Sequence, residues 1–258
     1  MIEQYYKDVL GKRICIVKVY PAKESDKSNI LFLSGFGQSK AGYFCMYMRL
    51  AKELAEVGYN CLLFDYPGIG DSHGNLQDFT WEDYVSVSME IAKMQIIKEK
   101  DIIIGFGIGA NIAARISLQK NIRIIGVSNW VDKYPLLKVL EEKEEIISLC
   151  ELFDDPFSSN ILRLMGGDKH HVRGFFAKKK MFYEISREPA FYELIGDGEI
   201  LLIYGEFDIT QKVRKHIEIV GNMRRHGITI RVIPGADRFF SFADWQDDVF
   251  ETIIGWLG

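Results

Sequence analysis

Three stretches carry residues in patterns suited to catalysis or ligand binding: Gly105-Phe106-Gly107-Ile108-Gly109, Tyr204-Gly205-Glu206-Phe207-Asp208 and Pro234-Gly235-Ala236-Asp237-Arg238. The first follows Ile102-Ile103-Ile104, an apolar run bounded by Asp101 that suits a strand covered on both faces, and it precedes Ala110, Ala113, Ala114 and Ile116 at helical spacing. A strand, a sharp turn and a helix start in that order form the frame G-x-S-x-G. In that frame, small flanking residues let a strained central residue stand above the sheet and attack an acyl carbon. The central residue here is Gly107, which has no side chain. The frame therefore presents a nucleophile position without a nucleophile.

The same turn also fits the loose dinucleotide fingerprint, as Gly105-x-Gly107-x-x-Ala110. That motif calls for an acidic residue about 20 positions later, at the end of the next strand. Here the next apolar run, Ile122 to Val127, ends in Ser128 and Asn129. A strand and helix also precede the turn, which ranks this reading below the first. Close strand-helix packing alone would account for the three glycines under either reading.

Elements that could position these stretches follow from periodicity. Two strand-like runs, 4–10 and 13–20, are separated by Gly11-Lys12 and predict an antiparallel hairpin. Short apolar strands follow at 30–33 and 60–64, each ending in a glycine-bearing loop. Tyr47, Leu50, Leu54 and Val57 mark one face of a helix over 42–57. Thr80 with Asp83 three residues on forms a capping-box variant that starts a helix reaching about residue 98. After the strand at 122–127 come a strand at 200–204, a helix over 211–226, a strand at 228–233 and a closing helix over 242–257. This alternation predicts an α/β fold with a mostly parallel central sheet and an antiparallel hairpin at its leading edge. Residues 131–193 break the rhythm: their apolar positions keep helical spacing, with no obvious strand. We read them as a helical insertion that covers the carboxyl edge of the sheet as a lid, within one domain spanning 1–258.

Composition bounds the partners. A net charge of −4 over 258 residues argues against nucleic acid, whose binders carry a clustered basic surface; the run Lys178 to Lys180 reads as a solvated helix face. No apolar run reaches the length of a membrane span, and Met1 to Leu10 does not have a basic segment followed by an apolar one. We expect a cytoplasmic protein. Four cysteines, at 15, 45, 61 and 150, show no metal-type pairing, so reduced thiols, no metal and no cofactor are expected.

Five motifs in one order resemble those of the α/β-hydrolase-fold superfamily, in its serine aminopeptidase or monoacylglycerol-lipase-like branch. Ser34-Gly35-Phe36-Gly37 stands where the family has an HGxG-type oxyanion loop, and Asp65 to Ser72 is similar to its D-x-x-G-x-G-x-S stretch. The elbow frame follows. Asp208 falls where the resemblance implies the triad acid, and Arg238, in Pro234-Gly235-Ala236-Asp237-Arg238-Phe239-Phe240, falls where it implies the triad histidine.

The resemblance thus implies a hydrolase whose nucleophile position is Gly107, whose histidine position is Arg238 and whose vestigial acid is Asp208. Arginine, with a pKa above about 12, cannot accept a proton near neutral pH. Ser34, Cys45, Ser72 and His73 are the nearest alternatives for a rebuilt site, each with an ordinary reading as a turn, helix or loop residue. What survives is a binding site. Backbone N–H groups of Ser34, Gly35, Phe36 and Ile108, a helix N-terminus and the charge of Arg238 favour a small anionic or acyl ligand. A competing reading pairs Arg238 with Asp208 at hydrogen-bond distance, about 2.7–2.9 Å. The leading function is a non-catalytic small-ligand-binding or accessory protein, serving a partner enzyme or acting as a homodimer. The alternatives are a hydrolase, acyltransferase or lyase with an unconventional site, and a scaffold acting through its surface.

Overall fold

In a computed structural model of the chain, residues 1–23, 25, 27–95, 100–118, 122–129, 146–148, 176–196, 198–208, 211–223 and 227–258 are described. The hairpin consists of β1 (Ile2–Val9) and β2 (Lys12–Val19). Its two-residue turn is Leu10-Gly11, with φ of 54° and 73°, one position earlier than Gly11-Lys12. Positive φ at both central residues matches the twist of a hairpin. Next come β3 (Asn29–Leu33), α1 (Met46–Glu56), β4 (Asn60–Phe64), α2 (Trp81–Gln95), β5 (Ile102–Phe106), α3 (Gly109–Ser117) and β6 (Arg123–Val127).

Two predicted elements differ. Helix α1 begins at Met46 rather than at residue 42, because Phe44 and Cys45 sit at φ 51° and 58°, which an α-helix cannot contain. The insertion is not wholly helical: β7 (Ile146–Ser148) pairs antiparallel with β8 (Phe176–Lys178). Most of it, 131–145 and 149–175, lies outside the described residues, and the proposed lid lies there with it. After it come α4 (Lys179–Ser186), α5 (Phe191–Leu194), β9 (Ile200–Gly205), α6 (Gln211–Asn222), β10 (Ile228–Ile233) and α7 (Ala243–Leu257).

Eight strands form one sheet in the order β1-β2-β4-β3-β5-β6-β9-β10, with β1-β2 and β2-β4 antiparallel and every other pair parallel. Alternate side chains feed two cores. Leu31, Leu33, Leu62, Phe64, Ile103, Ile124 and Leu202 meet α2, α3, α4 and α6 on one face. Ile30, Phe32, Cys61, Leu63, Ile102, Ile104, Ile125 and Leu201 meet α1 and α7 on the other. Strands buried on both faces must be apolar at both parities, which is why their runs are continuous. The predicted capping box also forms: the Thr80 N–H donates to Asp83 Oδ2 at 2.8 Å, and the Asp83 N–H to Thr80 Oγ1 at 3.3 Å.

Candidate functional site

Three glycines set the turn between β5 and α3, each for its own reason. A Cβ at Gly105 would lie 2.5 Å from the Ala110 backbone, and one at Gly109 would lie 2.3 Å from the Leu33 carbonyl, so both permit close strand-helix contact. Gly107 is different. A Cβ there would meet nothing nearer than 3.9 Å, at Gly35 Cα and the Ser128 carbonyl, but its φ is +53°. A side chain at 107 would have room; the strained backbone alone opposes it.

That room is part of a pocket at the carboxyl ends of β3, β5, β6 and β10, where α/β sheets bind ligands. It encloses about 60 Å³, enough for roughly four waters at about 10–15 Å³ each. Phe36, Tyr43, Tyr47, Phe106, Phe239 and Phe240 supply apolar walls, while Gly35, Gly107, Ile108, Ser128 and Arg238 bring polar backbone or side-chain groups. Tyr47 stacks on Phe106, with ring centroids 3.7 Å apart, and its hydroxyl donates to Gln38. Among the described residues neither the Phe36 nor the Ile108 backbone N–H has an acceptor. Of the five non-glycine residues with positive φ among the described residues, Ser128 (45°) and Phe240 (49°) line this pocket, and Phe44 and Cys45 adjoin its Tyr43 and Met46. Strain of roughly 1–3 kcal/mol per residue gathers where a function over-determines the backbone.

Behind the pocket lies a buried polar group. Asp208, in the short helical turn Glu206–Asp208 after β9, is 5% exposed; Asn129 and Tyr204 are 1% and 0% exposed. Among the described residues Asp208 Oδ2, both amide atoms of Asn129 and the Tyr204 hydroxyl make no hydrogen bond of good geometry, although the Asn129 side chain is close enough to the Tyr204 hydroxyl to favour its ionised form. Burial pushes the Asp208 carboxyl up to about 6, against the attraction of Arg238. Ser128 gives it little relief, since the hydroxyl donates its proton to the Arg238 carbonyl at 2.7 Å and offers Asp208 only lone pairs. The Arg238 guanidinium reaches Asp208 Oδ1 at 3.9 Å and makes no hydrogen bond among the described residues; its side chain is 38% exposed. The expected pair at 2.7–2.9 Å is therefore absent. A guanidinium left partly in water keeps its hydration, and closing the gap would bury it beside a carboxyl that burial already disfavours.

Of the residues read from the sequence, Gly107, Gly35, Phe36, Ile108 and Arg238 come together around the pocket, while Asp208 approaches it through Arg238. Ser34 does not line it: it is 2% exposed and its hydroxyl donates to the Ser39 carbonyl at 3.3 Å. Ser72 is also committed, accepting from the Cys15 N–H and donating to the Asp65 carbonyl; His73 and Cys45 are exposed, and neither lines the pocket. Sequence reasoning missed Lys40. Its ammonium donates to buried Asp65 (2.7 Å) and to Asp71 (2.6 Å), and Asp65 also accepts the Lys40 and Asp71 backbone N–H groups. Cys15, Asp65 and Asp71 lie close enough for a metal site, but the cation among them is Lys40. Burial alone would lower the lysine pKa, yet its two carboxylate partners hold it above the ordinary value. Nothing local in the sequence signals a contact between positions 40 and 65.

No curated protein matches the sequence. Solved structures match across the fold at low identity. An alpha/beta hydrolase, GrgF, from Penicillium sp. sh18 superposes with a TM-score of 0.74 at 14% identity, covering 100% of this chain and 98% of that one. A soluble variant of monoglyceride lipase from Saccharomyces cerevisiae, in complex with a substrate analog, gives 0.72 at 15%, covering 100% and 96%. Est1E from Butyrivibrio proteoclasticus, with ferulic acid bound, gives 0.70 at 14%, covering 98% and 97%. At these identities the likeness is one of fold, and the sheet order and glycine turn described above agree with it. No helix among the described residues is long and apolar enough to cross a membrane. A family model described as the alpha/beta hydrolase family matches residues 30–195 of the 258, and the chain belongs to that family.

Proposed function

We propose that this chain is an α/β-hydrolase-fold protein without a Ser-His-Asp triad, which binds a small anionic or acyl ligand in the pocket beside Gly107. The observation that carries the reading is the open space above Gly107, where the nearest atoms to an added Cβ would be 3.9 Å away and no side chain stands to attack a bound group. The Phe36 and Ile108 N–H groups and the Arg238 guanidinium supply donors for an anion, and the N-terminus of α3 adds its dipole. An acyl group's alkyl end would lie among Tyr43, Phe106 and Phe239. The small cavity admits the head of such a ligand rather than a large one.

The test is labelling and binding on the same preparation. A fluorophosphonate probe should leave the protein unmodified, short-chain esters should hydrolyse no faster than in buffer, and short carboxylates or acyl compounds should raise the melting temperature in a concentration-dependent way. Labelling at any serine, or the same carboxylate response in Arg238→Ala, would refute it.

One observation favours a second reading, an enzyme acting through an unconventional site. A carboxyl group with its pKa raised to about 6 is poised as a general base near neutral pH. Its weakness is position: the Asp208 carboxyl does not line the pocket and Oδ2 is covered. Turnover of any ester that disappears in Asp208→Asn would favour it over the binding reading.

A further inference from the structure

Among the described residues strand β1 is an edge of the sheet with no strand paired on its outer side, and its backbone register decides what can pair with it. Met1 and Tyr20 exchange both hydrogen bonds, at 3.1 and 2.8 Å. From that pair the register runs unbroken to Val9 opposite Lys12, so Glu3, Tyr5, Lys7 and Val9 bond inward to β2. Ile2, Gln4, Tyr6 and Asp8 then point their N–H and C=O groups outward. Edges of this kind are normally blunted by short length, charged side chains, proline, a bulge or a covering element; the charges of β1 are of both signs, Glu3, Lys7 and Asp8, and so can pair with one another across a two-fold axis. β1 has eight residues, no proline and no bulge, and it packs chiefly against β2 and α2. Ile2 and Tyr6 are 50% and 46% exposed on it.

We propose that β1 pairs antiparallel with β1 of a second copy of this chain, joining the two sheets across a two-fold axis at Tyr5. Only residues with outward backbone groups can form the hydrogen-bonded pairs, so even-numbered positions must face even-numbered positions. The register that uses all four sets Ile2 opposite the partner's Asp8 and Gln4 opposite the partner's Tyr6. A shift by two residues in either direction leaves Asp8 or Ile2 without a mate. The same register places Glu3 opposite the partner's Lys7, twice by symmetry, and Tyr5 opposite its own copy. These are non-hydrogen-bonded pairs, with Cα atoms about 4.5 Å apart and side chains in closest contact. Opposite charges thus meet at both ends and two aromatic rings at the centre. On the other face, Ile2 lies diagonal to the partner's Tyr6, covering the two exposed apolar side chains. The contact is isologous and closes at two copies.

Sedimentation equilibrium on the full chain tests this, with circular dichroism confirming that each variant folds. Wild type should show a concentration-dependent dimer. Lys7→Glu should weaken it roughly tenfold, since two attractive cross-strand pairs become repulsive, and Glu3→Lys combined with Lys7→Glu should restore it. Gln4→Pro, which removes an outward N–H without costing a bond to β2, should also give monomer. A wild-type monomer at roughly 1 mM, a dimer indifferent to both Lys7→Glu and Gln4→Pro, or a ladder of larger species joining β1 to β10 would each overturn the proposal.

Discussion

Arg238 Nη1 lies 3.9 Å from Asp208 Oδ1, near enough for attraction and too far for a hydrogen bond. The separation leaves a half-exposed guanidinium facing the pocket and a buried carboxyl whose desolvation has no full compensation. Each charge is available to respond to something else, Arg238 to an anion and Asp208 to a proton.

Asp208 makes stability depend on pH with a definite sign. Its folded pKa of about 6 stands above the ordinary 3.8, so between these values the folded state holds more protons, and stability falls as pH rises from about 4 to about 6. Asp208→Asn, a neutral isostere, should therefore be stabilised relative to wild type by up to about 3 kcal/mol near pH 8 and by almost nothing below about pH 4. The attraction of Arg238 that it loses is already contained in that pKa. Urea melts across that range check it; a variant less stable than wild type near pH 8 would mean that the pair is closed in solution.

His216 should act in the opposite direction. It sits on α6 against the rings of Phe191 and Tyr192, and its Nε2 has no hydrogen-bond partner among the described residues. Burial lowers its pKa from 6.5 to about 4. A base depressed on folding contributes stability that is present above about pH 6.5 and is lost as pH falls toward about 4. His216→Phe should remove that loss, gaining about 2 kcal/mol over wild type near pH 5 relative to the difference near pH 8. Equal shifts at both pH values would contradict this.

Gly107→Ser should fold, since its Cβ has 3.9 Å of clearance, but with a loss of roughly 1–3 kcal/mol from positive φ. Gly105→Ala and Gly109→Ala meet backbone at 2.5 and 2.3 Å and should lose considerably more. Chemical denaturation of the three variants gives the ranking directly; Gly107→Ser as the most damaged would be inconsistent with the geometry of the turn.

Lys40→Met leaves Asp65, which is 0% exposed, without its cation. Breaking a buried pair from one side costs about 3–5 kcal/mol, whereas Asp71, being exposed, should tolerate Asp71→Asn with a loss below about 1 kcal/mol. Comparing the two denaturation midpoints decides whether Lys40 is the structural counterion.

The order and type of most elements could be read from the sequence, because continuous apolar runs, helical spacing and glycine turns are local signals. The α/β fold, the leading hairpin, the capping box at Thr80 and the left-handed turn at Gly107 were all legible from a few neighbouring residues. The start of α1 was not, since Phe44 and Cys45 adopt positive φ that neither residue type signals. Nor were β7 and β8, whose three-residue runs are too short for a period to show. The polar contacts were set by the packing of distant elements. Lys40 meets Asp65 across 25 positions, and Arg238 stops short of Asp208 across 30. Ser34 turns inward to Ser39 rather than into the pocket, and His216 packs against the Phe191 and Tyr192 rings of α5. The physical reason is the same in each case. Backbone hydrogen bonds and binary patterning act between near neighbours, whereas the energy of a charge or a polar atom depends on distance and burial, which exist only once distant strands have been brought to one edge of the sheet.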